Sequence, residues 1–171
     1  MASLEALKQK LQTTEDLRSV VKTMKAHAAV NIRQYERAAA SLREYQRSVE
    51  RAFAMLLRCG RAPAGGSEDV GERMGVVVFG SDQGMCGAIN EQAAEETRRA
   101  LAEQTPERVR LQPVGAKAAA RLQDVPARRE GALGVPSSAE DIAGGVQELL
   151  LVLERWHFQD RVGRILLVVN R

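Results

Sequence analysis

Apolar residues recur every seven positions along the first 59 residues. Leu7, Val21, Ala28, Tyr35, Leu42, Val49 and Leu56 form one line, and Leu17, Met24, Ala38, Tyr45 and Ala52 form its companion. No glycine or proline interrupts this stretch, and Gly60 is the first breaker. The pattern predicts one continuous helix of nearly 60 residues, about 85 Å long at 1.5 Å per residue, with a narrow coiled-coil seam instead of a broad core-facing stripe. Such a seam has to be buried by another long helix, and nothing else in the 171 residues is long enough to do it. Function is therefore expected to lie with a partner or with a missing segment. Asn31, Tyr35 and Tyr45 lie on the seam lines, where polar or large side chains set register and partner choice. Ser3 is expected to cap the helix, and Glu5, Glu15 and Asp16 sit towards its positive end.

Beyond the rod the periodicity changes. Residues 60–73 mix Gly, Pro, Ser and charge and read as a connector. Gly75 to Gly80 is a short, continuous, β-branched run, the pattern of a strand buried on both faces of a parallel sheet. Further strands are predicted over 108–114 and 165–169, the last also read as buried. Helices are predicted over 88–104, 116–122 and from a Ser137 or Ser138 cap to Trp156, whose indole is expected to anchor that helix to the sheet. Strand, helix, strand, helix, helix, strand describes an α/β unit with right-handed crossovers. The predicted domains are a coiled-coil helix over 1–59, a linker over 60–73 and a Rossmann-like α/β domain with a parallel sheet over 74–171.

Composition narrows the function classes. The hydrophobic fraction of 44% is that of a soluble globular protein, and no window approaches 18 consecutive apolar residues. The start enters the helical pattern without an apolar signal region, so a soluble intracellular protein is expected. The formal net charge of +3 hides an asymmetry, since the rod is basic and the remainder slightly acidic. The rod's cations are interleaved with Glu36, Glu44 and Glu50, which favours a solvated face or an acidic protein sleeve over nucleic acid.

Candidate chemistry is confined to the loop after the first strand. Gly80, Gly84 and Gly87 bracket a strand-to-helix turn whose N–H groups are of the kind that receives an anion. The spacing matches neither GxGxxG nor the P-loop, and close packing of the next helix is the simpler reading. Cys86 lies near a helix N-terminus, where a thiolate is favoured. A nucleophile needs a base, however, and the two histidines, His27 and His157, are placed elsewhere. Asp82 reads as a side-chain cap on the turn. Cys59 and Cys86 form no zinc spacing. No catalytic residue, cofactor or metal is expected.

Two stretches carry a resemblance. Thr14 to Ile32, with Lys22, Met24, Lys25, Ala28 and Ala29 on a K-x-M-K-x-x-A-A pattern, resembles the N-terminal helix of the gamma subunit of F-type ATP synthases. Ser81 to Asn90, SDQGMCGAIN, resembles that family's SD-x-G-x-CG-x-x-N segment. The resemblance implies a non-catalytic central-stalk rotor subunit that couples proton or sodium flow to ATP synthesis or hydrolysis. Its implied partners are the alpha/beta hexamer, the epsilon subunit and the membrane c-ring, and its implied place is the cytoplasmic face of the membrane, reached only through the complex. Lys22, Met24, Lys25, Asp82, Gln83, Gly84, Cys86 and Gly87 would then be contact residues. Gln83 stands where the family usually has arginine, and Ala88 and Ile89 vary its glycine-rich end. The final Val169-Asn170-Arg171 resembles the family's aromatic-Asn-Lys stretch at the end of an inner strand, so the remaining strand region and the C-terminal helix that would complete the coiled coil are expected to be absent, either because this is a fragment of a longer gamma subunit or because it is a shortened relative that cannot serve as a normal shaft. Two other readings stand beside this one: a Rossmann-like nucleotide- or phosphate-binding domain, and a self-associating coiled-coil scaffold.

Overall fold

A computed structural model describes residues 2–59 and 71–170, the side chain of Ala2 excepted. The chain divides into two compact units, 1–63 and 64–171. The first holds one uninterrupted helix, α1 (Ala2–Arg58), whose end is carried one residue further by Cys59 N–H donating to the Met55 carbonyl at 3.0 Å. The heptad reading of 1–59 therefore corresponds to a single helix. Ser3 lies inside its first turn and does not cap it. Residues 60–70 of the expected connector lie outside the described residues. Glu72 forms a bridge to Val162 and Arg73 opens the first strand, so the sheet starts two residues earlier than the sequence suggested.

The second unit contains β1 (Arg73–Phe79), α2 (Ile89–Leu101), a 3-10 turn (Pro106–Arg108), β2 (Val109–Val114), α3 (Ala116–Arg121), β3 (Arg128–Arg129), α4 (Ile142–Phe158) and β4 (Val162–Val168). The strands form one sheet in the order β3-β2-β1-β4, and every named pair is parallel. The chain steps from β1 to β2 and β3 in one direction, then crosses back to β4 on the other side of β1. This reversal is the doubly wound arrangement, and it puts helices on both faces. Val76, Val78 and Leu111 pack with Ala93, Ala94 and Leu122 of the α2–α3 layer. Val77, Val114 and Val162 pack with Trp156 of α4 on the opposite face. The α/β, Rossmann-like expectation is the observed fold.

Trp156 is fully buried and anchors α4 as expected. Its ring lies over Gly75, where a Cβ would stand 2.5 Å from Cε3, so the strand needs a glycine there for the indole to reach the sheet. Helix α4 begins later than the serines implied. Asp141 is its N-cap residue, and Ser137 and Ser138 instead donate to the Asp141 carboxylate at 2.8 and 2.9 Å.

The reading of the last strand as buried on both faces is overturned. Strand β4 is the edge of the sheet, and Leu167 is 55% exposed, with Ile165 and Val169 exposed beside it. Ile165 and Leu167 register with Gly75 and Val77 and so share the α4 face. Helix α4 seats its indole over β1, and these two residues stay uncovered. Beyond Val162, which packs against Trp156 where the strand begins, β4 joins the core through its other face, by Leu166 and Val168.

Candidate functional site: an uncovered seam and a clasped loop

On α1 none of the predicted seam residues is buried. Leu7 is 67% exposed and Met24 40%, while Leu17, Val21, Leu42, Tyr45 and Leu56 are exposed as well. Ala28 is exposed, and Tyr35, Ala38 and Val49 are intermediate. Seven of these exposed side chains, Leu7, Leu17, Val21, Met24, Leu42, Tyr45 and Leu56, are large and apolar, more on one 57-residue helix than the single surface hydrophobics that need no explanation. Lys22, Met24 and Lys25 are all exposed. His27 is exposed, its Nδ1 3.3 Å from the Asn31 side-chain amide one turn later.

The loop Ser81–Asn90 is built by internal bonds. Asn90, buried at the start of α2, accepts the Ser81 backbone N–H at 2.9 Å through Oδ1 and donates through Nδ2 to the Ser81 hydroxyl at 2.9 Å and to Cys86 Sγ at 3.3 Å. Ser81 Oγ and Cys86 Sγ are 3.1 Å apart. Cys86 is thus a small member of a polar knot, with no histidine in it. Asp82 closes two further segments onto the loop, because its carboxylate accepts the Ala116 N–H and the Val135 N–H, each at 2.7 Å. Charge-assisted bonds of this kind are short and strong. The start of α3 therefore already has an anion, supplied by the chain itself.

This arrangement bears on the phosphate-binding reading. Gly80 N–H donates to the Val114 carbonyl at 2.9 Å, Ser81 N–H goes to Asn90, and Asp82 brings negative charge to the turn. The backbone donors at the end of β1 are engaged, and the neighbouring charge has the wrong sign for a phosphate. Gly80 is tight for packing reasons: a Cβ there would lie 2.4 Å from Asn90 Oδ1 and 2.5 Å from Ala118 Cβ. Gln83, Gly84, Met85 and Gly87 form the exposed outer surface of the loop, with Met85 83% exposed. Met85 and Gly87 both have positive φ, 60° and 68°, the left-handed region that turns the chain outward. Of the predicted contact residues, Gln83, Gly84 and Gly87 are presented, while Asp82 and Cys86 hold the loop in shape. Met85 was missed, although a lone methionine between Gly84 and Cys86 in a polar loop was a visible signal.

Further exposed apolar side chains are Ile165 and Leu167 on the α4 face of β4 and Val146, Leu150 and Leu151 on α4. Among the described residues no group of His, Cys, Asp and Glu could hold a metal ion. No described helix is long and apolar enough to cross a membrane.

Comparison with known proteins agrees with this geometry. The family model described as ATP synthase matches residues 3–171. An ATP synthase gamma chain from Magnetococcus marinus is 32% identical over 113 residues, covering 60% of this chain and 37% of that relative. The matched region thus spans little more than a third of the relative's length. With both the rod and the α/β domain inside the family match, the chain belongs to the gamma-subunit family of ATP synthases.

Proposed function

We propose that this chain is the central-stalk part of a rotary F-type ATP synthase, a non-catalytic element that couples ion flow through the membrane sector to ATP synthesis or hydrolysis in an alpha/beta hexamer. The observation that carries this reading is the uncovered seam on an unbroken helix. Torque needs a stiff element, and a helix without Gly or Pro supplies one. The domain division follows from the same logic, with a shaft over 1–59 and an α/β domain whose sheet opens at Arg73.

The seam residues Leu7 to Leu56 pair with a second long helix, either a C-terminal segment of the same subunit or one from another chain. Lys22, Met24 and Lys25 face the catalytic beta subunits, where the two cations meet acidic loops in contacts that weaken with salt. The outer surface of the 81–90 loop, with Met85 at its tip, meets the neighbouring stalk or c-ring components, the epsilon subunit among them. The uncovered face of β4 is completed by a further strand or helix. On this reading the protein works at the cytoplasmic face of the membrane through its complex, with no membrane segment of its own required.

Met24→Lys tests the reading. In an assembled complex it adds a charge where an apolar knob is clamped, so coupling falls more than assembly does. ATP-driven ion pumping equal to that of the unaltered complex would contradict the assignment. The self-associating scaffold remains the second reading, favoured by the same exposed seam, and predicts a stable rod dimer with no affinity for the hexamer.

A further inference from the structure

At the N-terminal end of the sheet, away from the 81–90 loop, three arginines share one face. Arg110 of β2 registers with Arg128 of β3 on one side and with Gly75 of β1 on the other. Residues paired in register point to the same face, and Arg73 lies two positions before Gly75, so Arg73, Arg110 and Arg128 form a row across three strands. They line an open cavity of about 470 Å³ together with Pro106, Glu107 and Pro126.

The electrostatics of this row are unfinished. Like charges directly opposite in a sheet repel, yet Arg110 is 3% exposed. A guanidinium has five N–H donors. Arg110 uses one of them, from Nη2 to Asp160 Oδ1 at 2.9 Å, and its buried Nε has no partner among the described residues. Arg73 donates to the Asp160 backbone carbonyl at 2.8 Å and leaves that carboxylate to Arg110. The Arg128 side chain makes no hydrogen bond or ion pair to a described residue and acts on Asp160 only through space. Glu107 lines the cavity, and Glu72 is committed to Arg108 at 2.8 Å on the neighbouring rim. Three guanidinium groups thus face two carboxylates, Asp160 and Glu107, with most of their donors unused.

We propose that this cavity is a binding site for a soluble phosphoryl oxyanion, held by Arg128 and Arg73 at its mouth and oriented by Arg110 behind them. The guanidinium fork matches the tetrahedral face of such an anion in a way that lysine does not. Asp160 fixes Arg110 and at the same time competes with the incoming anion. Binding at this site also neutralises the repulsion between Arg110 and Arg128, so it stabilises the α/β domain by linkage.

The test is a titration of the full chain with inorganic phosphate and pyrophosphate at constant ionic strength, with chloride as the balancing anion, reading the unfolding temperature of the α/β domain and the dissociation constant by calorimetry. A saturable rise with phosphate is expected, with affinity weakened about tenfold in Arg128→Gln, the equivalent of one charge-assisted hydrogen bond. Arg128 is exposed and outside the core, so this variant keeps the fold. Asp160→Asn removes the competing carboxylate and tightens phosphate binding. A response equal in chloride and phosphate, or one unchanged in Arg128→Gln, overturns the proposal. So does Arg128-dependent binding to phosphatidylglycerol vesicles with no response to free phosphate.

Discussion

Leu42 and Leu111 are the same side chain in two situations. Leu42 sits on the rod and is 57% exposed, whereas Leu111 lies in the middle of the sheet with no exposed surface. The same contrast runs through the two units. In the α/β domain β1 is covered on one face by α2 and on the other by Trp156. On α1 a row of Leu, Val, Met and Tyr at heptad spacing meets no comparable cover. One region satisfies its hydrophobic pattern within itself, and the other carries a pattern that a partner has to satisfy. A helix of this kind is specified by propensity and by the absence of breakers, and most of its stability comes from packing it has yet to make.

Truncation is the strongest way to separate the two. Leu111→Ala removes a fully buried side chain from a core with little freedom to collapse and should destabilise the α/β domain by about 2–5 kcal/mol. Leu42→Ala in the chain alone should change its denaturant midpoint by no more than about 0.5 kcal/mol, as surface changes do. Equal effects in urea unfolding would mean that the rod is packed in isolation. Once a second helix covers the seam, Leu42→Ala should become costly as well.

A smaller effect is expected from the loop clasp. Asp82→Ala removes the acceptor for the Ala116 and Val135 N–H groups. It should cost about 1–2 kcal/mol, limited because water can reach these exposed donors. Hydrogen exchange should quicken at those two amides, while the seam helix stays unchanged. Quickening along α1 instead would show that the two regions are coupled through the loop.

The smallest effect concerns acid. The hydrogen bond from Arg110, with Arg128 and Arg73 nearby, holds the Asp160 carboxyl below its ordinary range despite partial burial. A lowered folded value contributes stability that is present above the unfolded value, about 3.9, and is lost as pH falls through the folded one. Acid unfolding of the α/β domain should therefore be less steep below about pH 4 in Asp160→Asn, with no change in the helicity of α1. An identical acid profile in the two proteins would show that the ion pair contributes nothing to this sensitivity.

What was legible in the sequence follows the same division. The rod was readable to its last turn because a heptad pattern without Gly or Pro leaves one local solution. Strand β1 was readable because a short β-branched run is buried wherever a parallel sheet puts it, whereas β2 was found although Arg110, Gln112 and Pro113 interrupt its apolar residues. Strand β4 was found, but its exposure was not, since the run Ile165 to Val169 looks alike at the centre of a sheet and at its edge. Strand β3 is only Arg128 and Arg129, two charged residues with no apolar signal. At the loop, the residue types around Asp82 and Cys86 were visible, but their partners were not. Asp82 reaches 34 and 53 residues ahead, and Arg110 meets Asp160 50 residues away, separations at which local pattern carries no information.

The central claim, that the seam of α1 is completed by a second helix inside an alpha/beta hexamer, is tested most directly by a pull-down with purified alpha and beta ATP synthase subunits. The chain would be offered alone and together with the C-terminal helix of a family gamma chain, with ATPase activity read in the eluate. Recovery of an active hexamer when both helices are present, and its loss in Leu42→Asp, is the predicted result. A stable dimer of the chain that recovers no alpha or beta subunit under either condition would contradict the account.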